Sequence, residues 1–298
     1  MKYIKYEVYE NTSVRQFLRS KNYSKKSIEE ILKTGYLLNG KKKRKSLNLK
    51  KRDELKIIIE DEKIDYDPIK GNLSIIFEDE HSLVVSKGSN ITVNSKNQIS
   101  LSNYIAYYFM ESNQDTKIRL VNRLDMNTSG LMLIAKNKFA HAFYQKQLEE
   151  NTMKKKYIAV VDGKVDIDLL YENRFSYNEE RKNYEPSNTG KISRTYFKSK
   201  SIDEDFSIIE CEIFTGRTHQ IRASLSDLGY PIWGDSLYGS NKKLDRFLLH
   251  SYKLEFTNFY KEENIKLKDC PNFVGFIEGQ WKQYYLHKSF AYYIIKLS

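Results

Sequence analysis

The chain has 298 residues, more than one hydrophobic core usually organises, and 50 Lys+Arg against 39 Asp+Glu give it a net charge of +11. A 40% hydrophobic and 13% aromatic share excludes a wholly disordered chain, and 13 Gly with 4 Pro exclude collagen-like or low-complexity architectures. No apolar run approaches the roughly 18 residues of a membrane span, and no signal-peptide h-region opens the chain. Cys211 and Cys270 stand far apart and outside any Cys-x-x-Cys, so a reducing cytoplasm is expected rather than a disulfide framework.

The charge is unevenly spread. Residues 1–62 hold 17 Lys+Arg and 9 Asp+Glu, so most of the surplus sits in about a fifth of the chain. Lysine-rich drift would decorate the whole surface; a small basic module beside a nearly neutral large one points to a polyanion partner.

The spacing of Val14, Phe17 and Leu18, then of Ile28, Ile31 and Leu32, predicts two short helices within residues 13–34. Thr12 or Ser13 is available to cap the first, and Ser24 or Ser27 the second, the latter in a capping box with Glu30. Gly35 is a plausible stop, Asn39-Gly40 is the preferred dipeptide of a type I′ hairpin turn, and Leu55, Ile57 and Ile59 alternate as a strand. The hairpin carries Lys41, Lys42, Lys43, Arg44 and Lys45, a candidate phosphate grip. Gly35 to Lys41 also has the spacing of a phosphate-binding loop, but Lys42 stands where Ser or Thr is needed, and that reading fails.

Residues 63–72, with Pro68 and Gly71, read as a linker. Beyond it, β-branched or alternating runs at 73–77, 83–85, 131–135, 157–161 and 206–213 interleave with helical spacing at 101–110, 139–149 and 219–228. That mixture predicts an α+β domain with a mainly antiparallel sheet over residues 73–298. Residues 171–190 are polar and tyrosine-rich and read as an insertion-tolerant loop.

Polar residues concentrate in two places. Leu120 to Gly130 places Asp125 and Arg123 in a loop just before an apolar strand, and a turn-capping aspartate is the simpler reading of that composition. Phe214 to Arg222 reads as a glycine turn into a helix capped by Thr218. There Arg217, His219, Gln220 and Arg222 crowd a helix N-terminus, suited to a phosphate or a protein carboxylate.

Asn122-Arg-Leu-Asp-x-x-Thr-Ser-Gly-Leu, Gly216-Arg-Thr-His-Gln-Ile-Arg, Gly229 to Gly239 and Leu249-His250 occur in colinear order. Together they resemble the RluA-type RNA pseudouridine synthases over residues 73–260. Residues 1–62 resemble the small RNA-binding module named after ribosomal protein S-four. The first resemblance implies isomerisation of uridine in RNA, with Asp125 as nucleophile or base, Arg222 paired to it through a bidentate fork, and Tyr157 stacking on the base or assisting removal of its carbon-five proton. Arg123, Arg217 and His219 are the implied RNA contacts beside the cleft. Asn122 departs from the family's more frequent His, and Lys87 lacks the proline that usually follows it.

The reaction needs no cofactor, and neither a metal nor a membrane partner is expected. Ribosomal RNA is the expected substrate, with transfer RNA as the alternative and monomeric action. A non-catalytic RNA-binding or ribosome-assembly factor is the rival class, and a hydrolase using Ser129 and His219 lacks a Gly-x-Ser-x-Gly elbow.

Overall fold

The computed structural model describes residues 2–95 and 97–271. Strands β1 (Lys2–Glu7) and β2 (Thr12–Ser13) lead to helices α1 (Val14–Ser20) and α2 (Lys25–Thr34). Then come β3 (Tyr36–Leu38), β4 (Lys41–Lys43), β5 (Asn48–Leu49) and β6 (Glu54–Ile59). The Ser13 hydroxyl accepts the Gln16 N–H while the Gln16 side chain accepts the Ser13 N–H, so α1 starts on a reciprocal capping box.

Ser24, not Ser27, caps α2. The helix begins one turn earlier than the Ser27–Glu30 box would require, which leaves Ser27 buried inside it and Glu30 free to pair with Lys138. Asn39 and Gly40 both have positive φ, 47° and 77°, as a type I′ turn demands. Leu55, Ile57 and Ile59 all point inward from β6, the central partner of β1 and β3 in the antiparallel order β1-β6-β3-β4.

Main-sheet elements in chain order are β7 (Ser74–Glu78), β8 (Ser82–Lys87), α3 (Leu101–Glu111), β9 (Arg119–Leu120), β10 (Ser129–Ala135) and α4 (Lys138–Glu149). They continue as β11 (Lys154–Asp162), β12 (Asp168–Asn178), β13 (Asn183–Pro186), β14 (Lys191–Ile202) and β15 (Phe206–Ile213). Helix α5 (Gln220–Asp227), β16 (Leu249–Thr257) and β17 (Asn264–Lys268) complete it. The strand order is β13-β12-β14-β15-β11-β16-β10-β8-β7, with β17 on β16 and β9 on β10. The fold is α+β with a mainly antiparallel sheet.

One pairing among the described strands runs parallel, β10 with β16 at Ser129↔His250 and Gly130↔Ser251. Gly130 permits it: at φ 112° a Cβ there would lie 2.3 Å from the Ser251 carbonyl oxygen. Strand β10 is buried along its whole length because α3 covers one face and α4 the other. Helix α5 covers the second half of the sheet, setting Ile221 and Leu225 against Ala159, Val161, Phe197 and Ile209.

Residues 171–190 are not a loop; most of β12 and all of β13 lie there, and both β13 and the following β14 pair with β12. Leu169, Tyr171 and Phe175 alternate along one face of β12, but Asn173 interrupts them and β13 has no buried residue.

The N-terminal elements share one apolar cluster with the main sheet, running from Ile4, Leu18 and Leu55 to Leu131, Phe139 and Phe256. The Tyr23 ring meets Phe139 at 5.5 Å and Phe259 at 5.6 Å, and Lys138 pairs with Glu30 at 2.6 Å and Glu60 at 2.7 Å. The stretch 63–72 has no regular structure but is strapped down: Asp65 accepts the Ile118 N–H at 2.9 Å and Asn103 donates to the Asp67 carbonyl at 3.0 Å. No helix among the described residues is long and apolar enough to cross a membrane.

Candidate active site

The loop between β9 and β10, the entry to α5 and the ends of β11 and β16 enclose a cleft of about 350 Å³. Asp125, Tyr157 and Arg222 all line it, together with Arg123, Arg217 and His219. Residues expected from distant motifs therefore meet in one place. Lys41–Lys43 lie apart on the edge strand β4, followed by exposed Arg44 and Lys45.

Asp125 sits at a turn closed by the Thr128 N–H on its own carbonyl at 3.1 Å. Its side chain does not cap that turn; its Oδ2 accepts from Arg222 Nη1 at 3.2 Å. Asn122 braces the loop by accepting the Leu133 N–H at 2.8 Å.

Arg222 is 5% exposed, and its fork does not close on Asp125. Nε and Nη2 both go to Asp235, at 2.7 and 2.9 Å, which leaves only Nη1 for Asp125. The reason is placement: Asp235, 2% exposed, stands where the planar edge of the guanidinium points, while Asp125 approaches the remaining nitrogen. Phe247 and Tyr238 rings lie 4.3 and 4.9 Å from the guanidinium carbon. Burial opposes the charge, but hydrogen bonds and charge from Asp235, then Asp125, outweigh it and raise the guanidinium above its usual value.

His219, not Thr218, occupies the cap position of α5, with a left-handed φ of 54°. Tyr238 Oη accepts the Tyr184 N–H at 2.9 Å and is hydrogen-bonded to His219 Nδ1 at 3.0 Å. The other ring nitrogen, Nε2, faces Asp125 Oδ2 at 3.9 Å. Burial and the nearby Arg222 lower the imidazole, with Asp125 and Asp235 opposing. Gln220 turns inward: its carbonyl accepts from Arg217 N at 3.0 Å and its amide donates to Arg194 O at 2.9 Å, locking the turn.

Tyr157 comes from β11, and burial pushes its hydroxyl well up, with Ser251 as hydrogen-bond partner. Ser129 does not line the cleft and does not pair with His219; its hydroxyl is bonded to His250 Nδ1 at 2.9 Å and takes Arg246 Nη1 at 2.9 Å. Arg217 is exposed and donates Nε to the Ile192 carbonyl at 3.0 Å. Among the described residues no group of three His, Cys, Asp or Glu is arranged to hold a metal ion.

Two supports escaped the sequence. Asp235 lies inside the Gly229–Gly239 stretch without any signal of its own beyond a carboxylate among apolar neighbours. Lys87 is buried beneath the Asp125 loop and gives its ammonium to the carbonyls of Gly88, Ile91 and Met126 at 2.8, 3.0 and 2.8 Å. Burial pulls it down to about 7, against the opposing charge of Asp125.

Residues 81–227 match the RNA pseudouridylate synthase family. An uncharacterised RNA pseudouridine synthase of Bacillus subtilis is 38% identical over 66% of this chain and 68% of its own. The ribosomal large subunit pseudouridine synthase C of Buchnera aphidicola is 31% identical over 87% of this chain and 90% of its own. The human RNA pseudouridylate synthase domain containing 1 shares the fold at a TM-score of 0.59, with 23% identity over 72% of this chain and 89% of its own. With its motifs gathered on one cleft and relatives aligned along most of its length, the chain belongs to the RNA pseudouridine synthases, isomerases that convert uridine to pseudouridine within RNA.

Proposed function

We propose that isomerisation takes place in the Asp125 cleft and that the RNA is ribosomal. The observation carrying the first part is the carboxylate of Asp125 on the cleft wall, held by a guanidinium that is itself fixed by buried Asp235. The reaction breaks the bond from uracil N1 to ribose C1′, turns the uracil, joins C5 to C1′, and exchanges the C5 proton for one taken up at N1. Asp125 serves either as nucleophile or as base on the ribose. Arg222 orients it and keeps its negative charge matched in a largely dry site.

A paired uridine cannot reach a recessed carboxylate, so the nucleotide is extruded into the cleft. Arg123 and Arg217, both exposed at its edge, are suited to the displaced phosphates. Tyr157 contributes its ring against the base; burial keeps its hydroxyl protonated, which favours that role over proton removal. Residues 1–62 act as the grip, with Lys41 to Lys45 on phosphates. Support for a ribosomal substrate comes from relatives named as ribosomal large subunit pseudouridine synthases C and D.

The test is carbodiimide mapping of pseudouridine in ribosomal RNA from cells carrying wild type, Asp125→Asn or no copy. Asp125→Asn is expected to match the cells without a copy at every lost site, while the purified variant binds RNA within about twofold of wild type. Residual modification in the Asp125→Asn cells would remove Asp125 from the chemistry. Loss of signal in transfer RNA instead would reassign the substrate.

A further inference from the structure

Strand β11 brings a lysine to the cleft besides the arginines at positions 123, 217 and 222. Lys155 stands two residues before Tyr157, so strand alternation sets both on the same face, and it lines the cleft beside Val121, Gln145 and Leu148. Its neighbour Lys156 is tied to Glu210 at 3.2 Å and Glu212 at 3.0 Å, and Lys87 spends its ammonium on three carbonyls. The Lys155 ammonium has no hydrogen bond or ion pair among the described residues. An ammonium that lines the cleft and has no protein acceptor is available to an anion that enters it.

We propose that Lys155 Nζ binds a phosphate attached to the extruded uridine and so positions the nucleotide along the cleft. This rests on the reading that the cleft receives uridine. Charge within the cleft supports a phosphate over a uracil carbonyl. At one end the carboxylates of Asp125 and Asp235 already flank the single guanidinium of Arg222, so an incoming anion is repelled there. Lys155 lies outside that cluster: burial alone lowers it, to about 8, and no carboxylate contributes. A compact ammonium is also suited to phosphate as a point charge. The cleft thus has an anionic end for the sugar and base and a cationic end for the backbone.

The experiment is titration of the full chain with uridine, uridine 5′-monophosphate and uridine 3′-monophosphate, followed by protein NMR, for wild type, Lys155→Met and Lys155→Arg. Wild type is expected to prefer one monophosphate to uridine by about tenfold. Lys155→Met is expected to lose that preference while binding uridine within about twofold of wild type, and Lys155→Arg to keep it. A Lys155→Met variant that retains the preference overturns the proposal. So does one that loses uridine and its monophosphates equally, because that would place Lys155 on the base or in the fold. Failure of wild type to bind any of the three, with unchanged cleft resonances, overturns the uridine reading of the cleft and this proposal with it.

Discussion

The protein carries its positive charge in two contrasting ways. Around Asp125 the cation is Arg222, buried, held between two carboxylates and flanked by two rings. On the hairpin Lys41 to Lys45 are solvated, and none of their side chains has an ion pair among the described residues. The buried arrangement fixes the guanidinium by three hydrogen bonds but contributes little long-range field. The hairpin fixes nothing and acts at a distance, until salt screens it. One end of the molecule is built for geometry and the other for attraction, so perturbing each should fail in a different observable.

The largest effect is expected at Asp235. Asp235→Asn leaves the Arg222 guanidinium buried with one carboxylate instead of two, at a cost on the order of 3 kcal/mol in urea denaturation. The guanidinium is then free to turn its fork on Asp125, so kcat should drop well before RNA affinity does. Unchanged stability would mean that Asp235 does not anchor the site. Replacing Lys41 to Lys45 by glutamine should do the opposite. Affinity falls roughly tenfold or more at low salt, kcat at saturation is kept, and the slope of log affinity against log salt flattens by about 0.9 for each phosphate no longer neutralised. A kcat that falls with the charges would merge the two ends into one site.

The smallest effect is in pH. Burial lowers the imidazoles of His81, His141 and His219. The unfolded chain therefore takes up protons at these positions as pH falls below about 6.5, before the folded chain does, and stability is lost in that direction. Denaturation of His219→Gln between pH 7 and 5 should show a shallower loss than wild type, by less than about 1 kcal/mol. An equal slope would mean that His219 is not disfavoured as a cation in the fold.

Sequence reading located the buried elements well because burial leaves a periodic trace. Strand β10, apolar from Leu131 to Ala135, and α4, spaced by Phe139, Phe143 and Tyr144, are covered on their apolar faces and show it. Strand β1 and the β12–β13 ladder were not legible. The first alternates over a short, charged stretch; in the second, Asn173 interrupts the alternation of Leu169, Tyr171 and Phe175, and β13 buries no residue. The cleft residues were legible as motifs, whereas their partners were not. That Arg222 offers its fork to Asp235 and one nitrogen to Asp125 depends on where a turn thirteen residues later is carried by the chain. Lys155 reads as one lysine in a run of three, and only the strand face distinguishes it from Lys154 and Lys156.

The parallel pairing at Gly130 has a consequence for how the molecule comes into being. Ser129 and His250 are 121 residues apart, yet their pairing fixes the end of the loop that bears Asp125. At about 5–20 residues per second, a ribosome making this chain exposes that loop for roughly ten seconds before its neighbouring strand exists. Arg222 and Asp235 also emerge during that wait. A chain shortened before β16 therefore holds the acid without the wall that aims it, and the cleft is completed only once β16 has been made.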